Sequence, residues 1–446
     1  MKVIFSERGR RLMNSPQGLS ALRSAQNRML KRQMEYIAGN SPFYREKFVE
    51  LGIDPGTIRC IDDLPKLDFF TGPDDIKADP FQFLAVPREK IVHIMSSSGT
   101  TGVPKTVFLT KEDWDKIVGV TSIGFQFLGV TGADVAQILF SYGNPSWPTG
   151  SVLQSALEQI ETFILPMGNT APLARQIEMM HIFGTTVLLG TPSYLHRLTE
   201  EGTKLCDLRE LKVHTIRLAA EPWSEAMRTY LGEVWGAEVF DTYSMVELGL
   251  EGAGECSARN GLHISPYIAV EVVEPKSGEL LPRGELGELV YTQLNQKGSP
   301  LLRYRSGDLG SLLPSDPCPC GGIPTERISR IMGRVDDMLF LGGGENAFPA
   351  QFETALIDIE GVTGFQVIIA KAGYQDHLTI RVETITPPSD ELEQTIRQNL
   401  YDGLSFLEHE ISAAKMIAPL EIEFLEPGTL QSETPNKIRL LIDKRN

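Results

Sequence analysis

The 446-residue chain is short of cysteine, short of positive charge and without a long apolar run. Each shortage excludes something. Five cysteines in this length argue against a disulfide framework of the kind that staples small secreted domains. Lys and Arg number 42 against 58 Asp and Glu, a formal net charge of −16. An acidic balance disfavours nucleic acid and anionic membranes as partners, since both are gripped through positive surface charge. It still permits a small anionic ligand held by a locally positive loop. No uninterrupted apolar stretch approaches the ~20 residues that a bilayer-spanning helix requires. The opening residues, Met1 to Glu7, lack the apolar segment of a secretory signal, so a cytoplasmic location is expected. Hydrophobic residues make up 41% and charged residues 22%, as in ordinary globular proteins. The length exceeds what one compact core holds, so two or more domains are expected.

What is present begins with an unusually polar stretch. Ser96 to Lys105 reads Ser-Ser-Ser-Gly-Thr-Thr-Gly-Val-Pro-Lys, flanked by the apolar segments Ile91 to Met95 and Val107 to Leu109, both of which read as strands. A loop of this composition can aim hydroxyls and backbone N–H groups at one point, as a polyphosphate needs. Gly99 and Gly102 permit close backbone approach, and Lys105 adds a positive charge. The spacing is not that of the Walker loop, and a plain Ser/Thr-rich turn fits the stretch equally well when it is read alone.

Along the chain, residues 17–38 carry apolar side chains at near-helical period, and Ser41-Pro42 starts a second helix that Gly52 stops. Helices are expected over Lys111–Phe127, Val152–Glu161, Ala171–Met180, Ser193–Glu201 and Ser224–Trp235. Strands are expected over Val135–Tyr142, Thr162–Pro166, Thr186–Leu189, Thr215–Ala219 and Glu238–Tyr243. This alternation predicts a doubly wound, parallel α/β architecture, whose ligands sit beyond the carboxyl ends of the strands. From Ile264 to Tyr291 the helices stop and an antiparallel β region is expected. The fold class is therefore α/β: a large N-terminal domain over 1–334, helical over about 1–60 and including a β subdomain, then a small, mobile α+β domain over 335–446.

Polar constellations follow several strand ends. Asp241-Thr242-Tyr243-Ser244 leads to Glu247: a Tyr there suits a purine face, and Glu247 suits a divalent cation. Asp308, after Gly307, suits a ribose diol, and is equally an ordinary turn residue. Arg334 and Asp336 stand at the domain junction, where a hinge would lie. Lys437 lies near the C-terminus beside Arg439. Cys256 and His263, with the Cys318-Pro-Cys320 pair, offer three thiolates and one imidazole, a closed set suited to structural Zn²⁺. Cys60 and Cys206 read as ordinary buried thiols.

Taken in order, Ser97 to Lys105, Ala220-Glu221-Pro222, Tyr243 to Glu247, Tyr304 to Asp308, Gly333 to Asp337 and Pro435-Asn436-Lys437 resemble the signature of the adenylate-forming acyl-CoA synthetase superfamily. Ser41-Pro42-Phe43-Tyr44, Cys318-Pro-Cys-Gly and Asn346-Ala347-Phe348-Pro349 are most similar to its phenylacetate–CoA ligase branch. The resemblance implies ATP-dependent activation of a carboxylic acid, aromatic in that branch, to an acyl-adenylate, then transfer to coenzyme A. It implies that Ser97, Ser98, Gly99, Thr100, Thr101, Gly102 and Lys105 cradle the β- and γ-phosphates. Ala220, Glu221, Pro222 and the Asp241–Ser244 segment would border the adenine, and Glu247 would hold Mg²⁺. Asp308 and Arg334 would grip the ribose and phosphate, Asp336 would be the hinge, and Lys437 would bridge the carboxylate and the α-phosphate. A homodimer is expected by the same analogy. The acyl pocket would lie near Tyr142, Trp147 and Ala219, with Phe140 close by, and no basic residue there stands out for a second carboxylate.

Two stretches depart from the branch. Leu341-Gly-Gly-Gly-Glu-Asn346 is glycine-rich where the branch carries a basic residue, one glycine and then Asn, and Asn144 to Pro148 differs from its glycine-rich segment. An acceptor other than coenzyme A (an amine, a carrier-protein thiol or a cofactor hydroxyl) is the first alternative. A non-catalytic nucleotide-binding protein is the second.

Overall fold

A computed structural model describes residues 16–97, 104–142, 149–221, 223–250, 252–320, 324–347, 349–356, 359, 361–427, 429–430 and 441–445. The chain opens with helices Pro16–Asn40 and Pro42–Leu51. Pro42 occupies the first turn of the second helix, where its missing N–H costs nothing. Gly52 ends that helix at φ 64°, its N–H closing on the carbonyls of Phe48 and Val49. Leu30, Met34 and Ile37 present one buried stripe to Tyr44 and Phe48.

Strands β1 (Ile91–Ser96) and β2 (Thr106–Thr110) form an antiparallel hairpin. Thr110 then caps helix Lys111–Phe127 in a reciprocal box with Asp113. The fully buried Asp113 carboxylate also accepts from the N–H groups of Lys297 and Gly298, each at 2.8 Å. It thereby ties the hairpin to a distant loop. Gly298 is required there, because a Cβ would sit 2.0 Å from the Phe108 carbonyl oxygen.

The main sheet contains β3 (Val135–Ile138), β4 (Phe163–Leu165), β5 (Val187–Gly190), β6 (Thr215–Ala219) and β7 (Glu238–Tyr243), all parallel, in the order β7-β6-β5-β3-β4. Helices Thr149–Glu158, Leu173–Phe183, Pro192–Thr203 and Glu225–Trp235 lie between successive strands in the chain. β6, β7 and helix Lys111–Phe127 have the expected boundaries. β3 is shorter than expected: it ends at Ile138, and Leu139 and Phe140 are buried without extending the strand.

Three short strands with no periodic signal widen this sheet to eight. They are β8 (Ala253–Gly254), β9 (Leu262–Ile264) and, later in the chain, β13 (Arg327–Ile328), all antiparallel. The expected β region is a four-stranded sheet, β10 (Ile268–Val273), β11 (Gly287–Gln293), β12 (Tyr304–Gly310) and β14 (Gly333–Arg334), with antiparallel pairing of β10 to β11 and of β12 to β14.

The C-terminal region holds a hairpin of β15 (Leu339–Leu341) and β16 (Glu345–Ala347) and a four-stranded sheet. That sheet is β17 (Val362–Ala372) and β18 (Gln375–Thr384), flanked in parallel by β19 (Glu421–Leu425) and β20 (Leu441–Asp443). Helix Asp390–Gly403 buries Leu392, Ile396 and Leu400, and Ser389 caps it. The architecture is thus mixed α/β with a large N-terminal and a smaller C-terminal part.

Two compact units divide the chain. One comprises residues 1–221, 230–306 and 310–331; the other comprises 222–229, 307–309 and 332–446. Among the described residues no helix is long and apolar enough to cross a membrane.

Candidate active site

The hairpin that carries the polar stretch is closed at its neck. Ser96 and Thr106 hydroxyls meet at 2.7 Å, the Ser97 N–H donates to the Lys105 carbonyl at 3.0 Å, and the Lys105 N–H donates to Ser97 Oγ at 3.0 Å. Ser98, Gly99, Thr100, Thr101 and Gly102 lie outside the described residues. The sequence reading gives Lys105 and Glu247 separate tasks; the structure brings them together. Lys105 Nζ forms an ion pair with Glu247 Oε1, and the Tyr304 hydroxyl donates to that same oxygen at 2.7 Å. Glu247 is only 3% exposed and Tyr304 is fully buried, so this is a desolvated cluster in which charge counts for more than at the surface. Tyr304 opens the quoted Tyr-Arg-Ser-Gly-Asp motif, yet nothing in the sequence pairs it with Glu247.

Beyond β6 the backbone is strained. Ala220 stands at φ +77°, a left-handed conformation that a residue with a Cβ adopts only when its surroundings impose it. The restraint is next door. Glu221 accepts from the Ser193 N–H at 2.9 Å and from the Ser193 hydroxyl at 2.8 Å, at the start of helix Pro192–Thr203. Pro222 lies outside the described residues. On β7, the Asp241 N–H donates to Glu255 Oε2 at 2.7 Å, and Arg330 Nε reaches the Asp241 carboxylate at 3.2 Å. The Tyr243 ring stacks at 6.1 Å on Tyr291. Ser244 and Thr242 both face the recess described below.

Asp308 and Arg334 are direct partners across β12 and β14, with Arg334 Nε 3.8 Å from Asp308 Oδ1. Gly307 is favoured by its φ of +75°, and its missing Cβ leaves room for the Arg334 guanidinium. Asp336 is exposed in a single turn of 3₁₀ helix between β14 and β15. Lys437 lies outside the described residues.

A small recess opens at the carboxyl ends of β6 and β7, lined among others by Phe140, Thr149, Leu153, Ala219, Thr242 and Ser244. Tyr142 is 36% exposed and its ring lies against Gly150. Burial, with the Glu158 charge adding to it, pushes its hydroxyl above the usual tyrosine range. Trp147 lies outside the described residues. The sequence reading singles out no basic residue here for a second carboxylate. The structure supplies one, Arg217, which walls the recess from the middle of β6.

Cys256, His263, Cys318 and Cys320 form one cluster, with their ligand atoms all within 4.8 Å of one another. Cys256 Sγ and Cys318 Sγ are 3.6 Å apart, too far for a disulfide, and Cys320 Sγ lies 3.7 Å from His263 Nε2. Tetrahedral zinc with Zn–S of 2.3 Å places two sulfurs about 3.8 Å apart, so the four residues fit that ion. His263 Nδ1 lies 3.3 Å from Thr325 Oγ1, an outer contact of the type that orients a ligating imidazole. A hydrogen bond with Cys320, then burial, pushes the Cys256 thiol up. Cys60 and Cys206 correct the sequence reading, being partly exposed rather than buried: they sit beside short turns and not on a core stripe.

Comparison with known proteins shows the family. The family profile described as AMP-binding enzyme matches residues 45–295, and that of the AMP-binding enzyme C-terminal domain matches 344–445. The chain belongs to the AMP-binding enzyme family. Within it, the chain is 34% identical over 440 residues to a phenylacetate–coenzyme A ligase of Thermus thermophilus, covering 95% of this chain and 97% of that one. It is 30% identical over 439 residues to the enzyme of the same name from Aromatoleum evansii, covering 95% and 94%. These matches put it in the phenylacetate–CoA ligase-like branch. A crystal structure of a 2-hydroxyisobutyryl-CoA ligase in the postadenylation state shares the fold, with a TM-score of 0.81 at 23% identity over 95% of this chain and 90% of that one.

Proposed function

We propose that the protein is an AMP-forming acid–CoA ligase that acts on an aryl or similar small carboxylic acid in the cytoplasm. The buried Lys105–Glu247–Tyr304 cluster at the neck of the polar hairpin is the observation that carries this reading, and the family match supports it. ATP binds with its β- and γ-phosphates against the hairpin from Ser97 to Lys105. Asp241, Thr242, Tyr243 and Ser244 on one strand end and Ala220, Glu221 and Pro222 after the next border the adenine, and Asp308 with Arg334 holds the ribose side. Glu247 is the residue that would hold Mg²⁺, whose charge lowers the cost of polyphosphate departure. Both contacts to Glu247 fall on Oε1, so Oε2 carries neither.

The acid's carboxylate attacks the α-phosphorus, and the P–O bond to pyrophosphate breaks. Lys105 supports the departing pyrophosphate, and Lys437 bridges the incoming carboxylate and the α-phosphate, where negative charge concentrates. The coenzyme A thiolate then attacks the acyl carbon and AMP leaves. Rotation of the C-terminal domain about Asp336 exchanges Lys437 for the thiol, so one cleft serves both steps. The Cys256, His263, Cys318 and Cys320 set holds a structural zinc. A homodimer rests on the family analogy alone.

A second reading, with a different acyl acceptor, is favoured by the Gly342–Gly344 turn. Its N–H groups at Gly342 and Gly343 donate to the buried carboxylates of Asp376 and Glu410, each at 2.9 Å, where the branch carries a basic residue that would suit an anionic thiol. Pyrophosphate release over a panel of acids, with and without coenzyme A, tests both readings. The proposal expects acid-dependent release and a thioester. Release without thioester selects the second reading, and no acid-dependent release overturns both.

A further inference from the structure

β7 carries the first residues of the Asp241–Ser244 segment, and β8 is its antiparallel neighbour. Thr242 pairs with Gly254 and Tyr243 with Ala253, so Asp241 faces Glu255. Facing residues in such a ladder exchange two backbone bonds. One of them is present: the Glu255 N–H donates to the Asp241 carbonyl at 3.0 Å. The other is replaced. The Asp241 N–H donates at 2.7 Å to the Glu255 side chain, at Oε2. β8 has stopped at Gly254, and the residue after Glu255 is Cys256, a member of the Cys/His cluster. Glu255 is buried, and a carboxylate that accepts a backbone N–H in a desolvated place makes a strong, directional bond.

The Asp241 side chain is held from the other half of the cluster. Cys318 and Cys320 precede β13, whose Arg327 pairs with His263 on β9. The same segment then brings Arg330 Nε to 3.2 Å from Asp241 Oδ2. The Cys256 segment thus holds Asp241 by its main chain, and the Cys320 segment holds it by its carboxylate. These two segments meet in the cluster, with Cys256 Sγ 3.6 Å from Cys318 Sγ and Cys320 Sγ 3.7 Å from His263 Nε2. A metal ion held by the four side chains would cross-link them, and a cross-link between distant parts of a chain restricts both. All of these residues belong to the larger compact unit.

We infer that Glu255 is a positioning residue that couples the Cys/His metal centre to nucleotide affinity: with the metal bound, Glu255 fixes Asp241 and so the wall against which the adenine rests. This rests on the proposed nucleotide site and adds to it a determinant of ATP binding that touches no ligand. Arg330 acts in the same sense on the Asp241 carboxylate. The metal holds four side chains and takes no part in either half-reaction. Its loss frees the two segments, and the bonds they make to Asp241 then no longer hold the strand end in one place. The consequence falls on the base end of the nucleotide, not on the polyphosphate or the acid.

The test measures the Kd of AMP and of pyrophosphate by calorimetry, KM for ATP and for the acid, and zinc content, in wild type, Glu255→Ala and Glu255→Gln. Glu255→Ala should keep its zinc and raise the AMP Kd and the KM for ATP about tenfold. Its pyrophosphate affinity and its KM for the acid should be unchanged. Glu255→Gln keeps an acceptor oxygen for the Asp241 N–H and should stay near wild type. Stripping zinc from the wild type with a chelator should weaken AMP by a similar factor, and restoring zinc should reverse the change. The same stripping should have a smaller effect in Glu255→Ala, where part of the route is already cut. If Glu255→Ala is insoluble, Arg330→Gln takes its place in the comparison. An unchanged AMP Kd in the variant, an equal loss for pyrophosphate and the acid, or a zinc effect of the same size in wild type and variant overturns the inference and leaves the nucleotide site standing. Wild type that holds no zinc overturns it as well. Wild type that binds no AMP removes the nucleotide site and this inference with it.

Discussion

Lys105 and Arg217 are both cations drawn into the interior of the large unit, and their surroundings differ. Lys105 meets a buried carboxylate, Glu247, which a buried tyrosine also holds. Arg217 meets a hydroxyl and the face of a phenyl ring, at the edge of a recess with apolar and hydroxyl walls. The first arrangement balances its own charge before any ligand arrives, as suits the end of the site that every turnover uses in the same way. The second borders the recess beside Ala219, where the sequence reading expects the acyl group, so changes there bear on which acid enters. Changes at the polyphosphate end should therefore slow all acids alike, and changes at the acyl end should alter their ratios.

The largest effect is expected for Lys437→Ala. Adenylation should fall by about 10²–10³-fold for every acid, with thioester formation from a supplied acyl-adenylate largely kept. Equal loss in both half-reactions, measured separately, would contradict the bridging role. Glu247→Gln should cost pyrophosphate release about 10²-fold, again evenly across acids; a change in acid preference would break the contrast between the two ends. Cys318→Ser tests a part belonging to neither. Metal analysis should give about one zinc per wild-type chain and less in the variant, with a Tm several degrees lower and unchanged acid ratios. Wild-type protein purified without bound zinc would remove the metal from the account. Tyr304→Phe should be mildest, roughly a 1–2 kcal/mol loss spread over stability and adenylation, because it deletes a hydrogen bond to a charged group while keeping the ring. No change in either measurement would show that the Tyr304 contact is incidental.

The two ends also differ in how much of them the sequence discloses. The polar hairpin and the strand ends of β6 and β7 are contiguous motifs, the Cys/His set is legible as two short pairs, and helix Lys111–Phe127 with its Thr110 cap is written in consecutive residues. The pairing of Lys105 with Glu247 and Tyr304 joins three distant segments, and no local pattern carries that. β8, β9 and β13 are two or three residues long, too short to show an alternation. β3 reads longer in the sequence than it is because Leu139 and Phe140 stay apolar and buried past its end, Leu139 keeping one backbone bond to Leu189. Arg217 does leave a signal, a charge inside an otherwise apolar strand, but its place in the wall of a recess shows only in the structure.

The central claim is that the acid attacks the α-phosphorus of ATP, and isotope tracing tests it most directly. With a substrate acid carrying ¹⁸O in its carboxyl group, a full turnover should leave one labelled oxygen in AMP and none in pyrophosphate. Label in inorganic phosphate, or unlabelled AMP alongside the acyl product, would contradict an acyl-adenylate intermediate and, with it, the roles of Lys105, Glu247 and Lys437 in forming one.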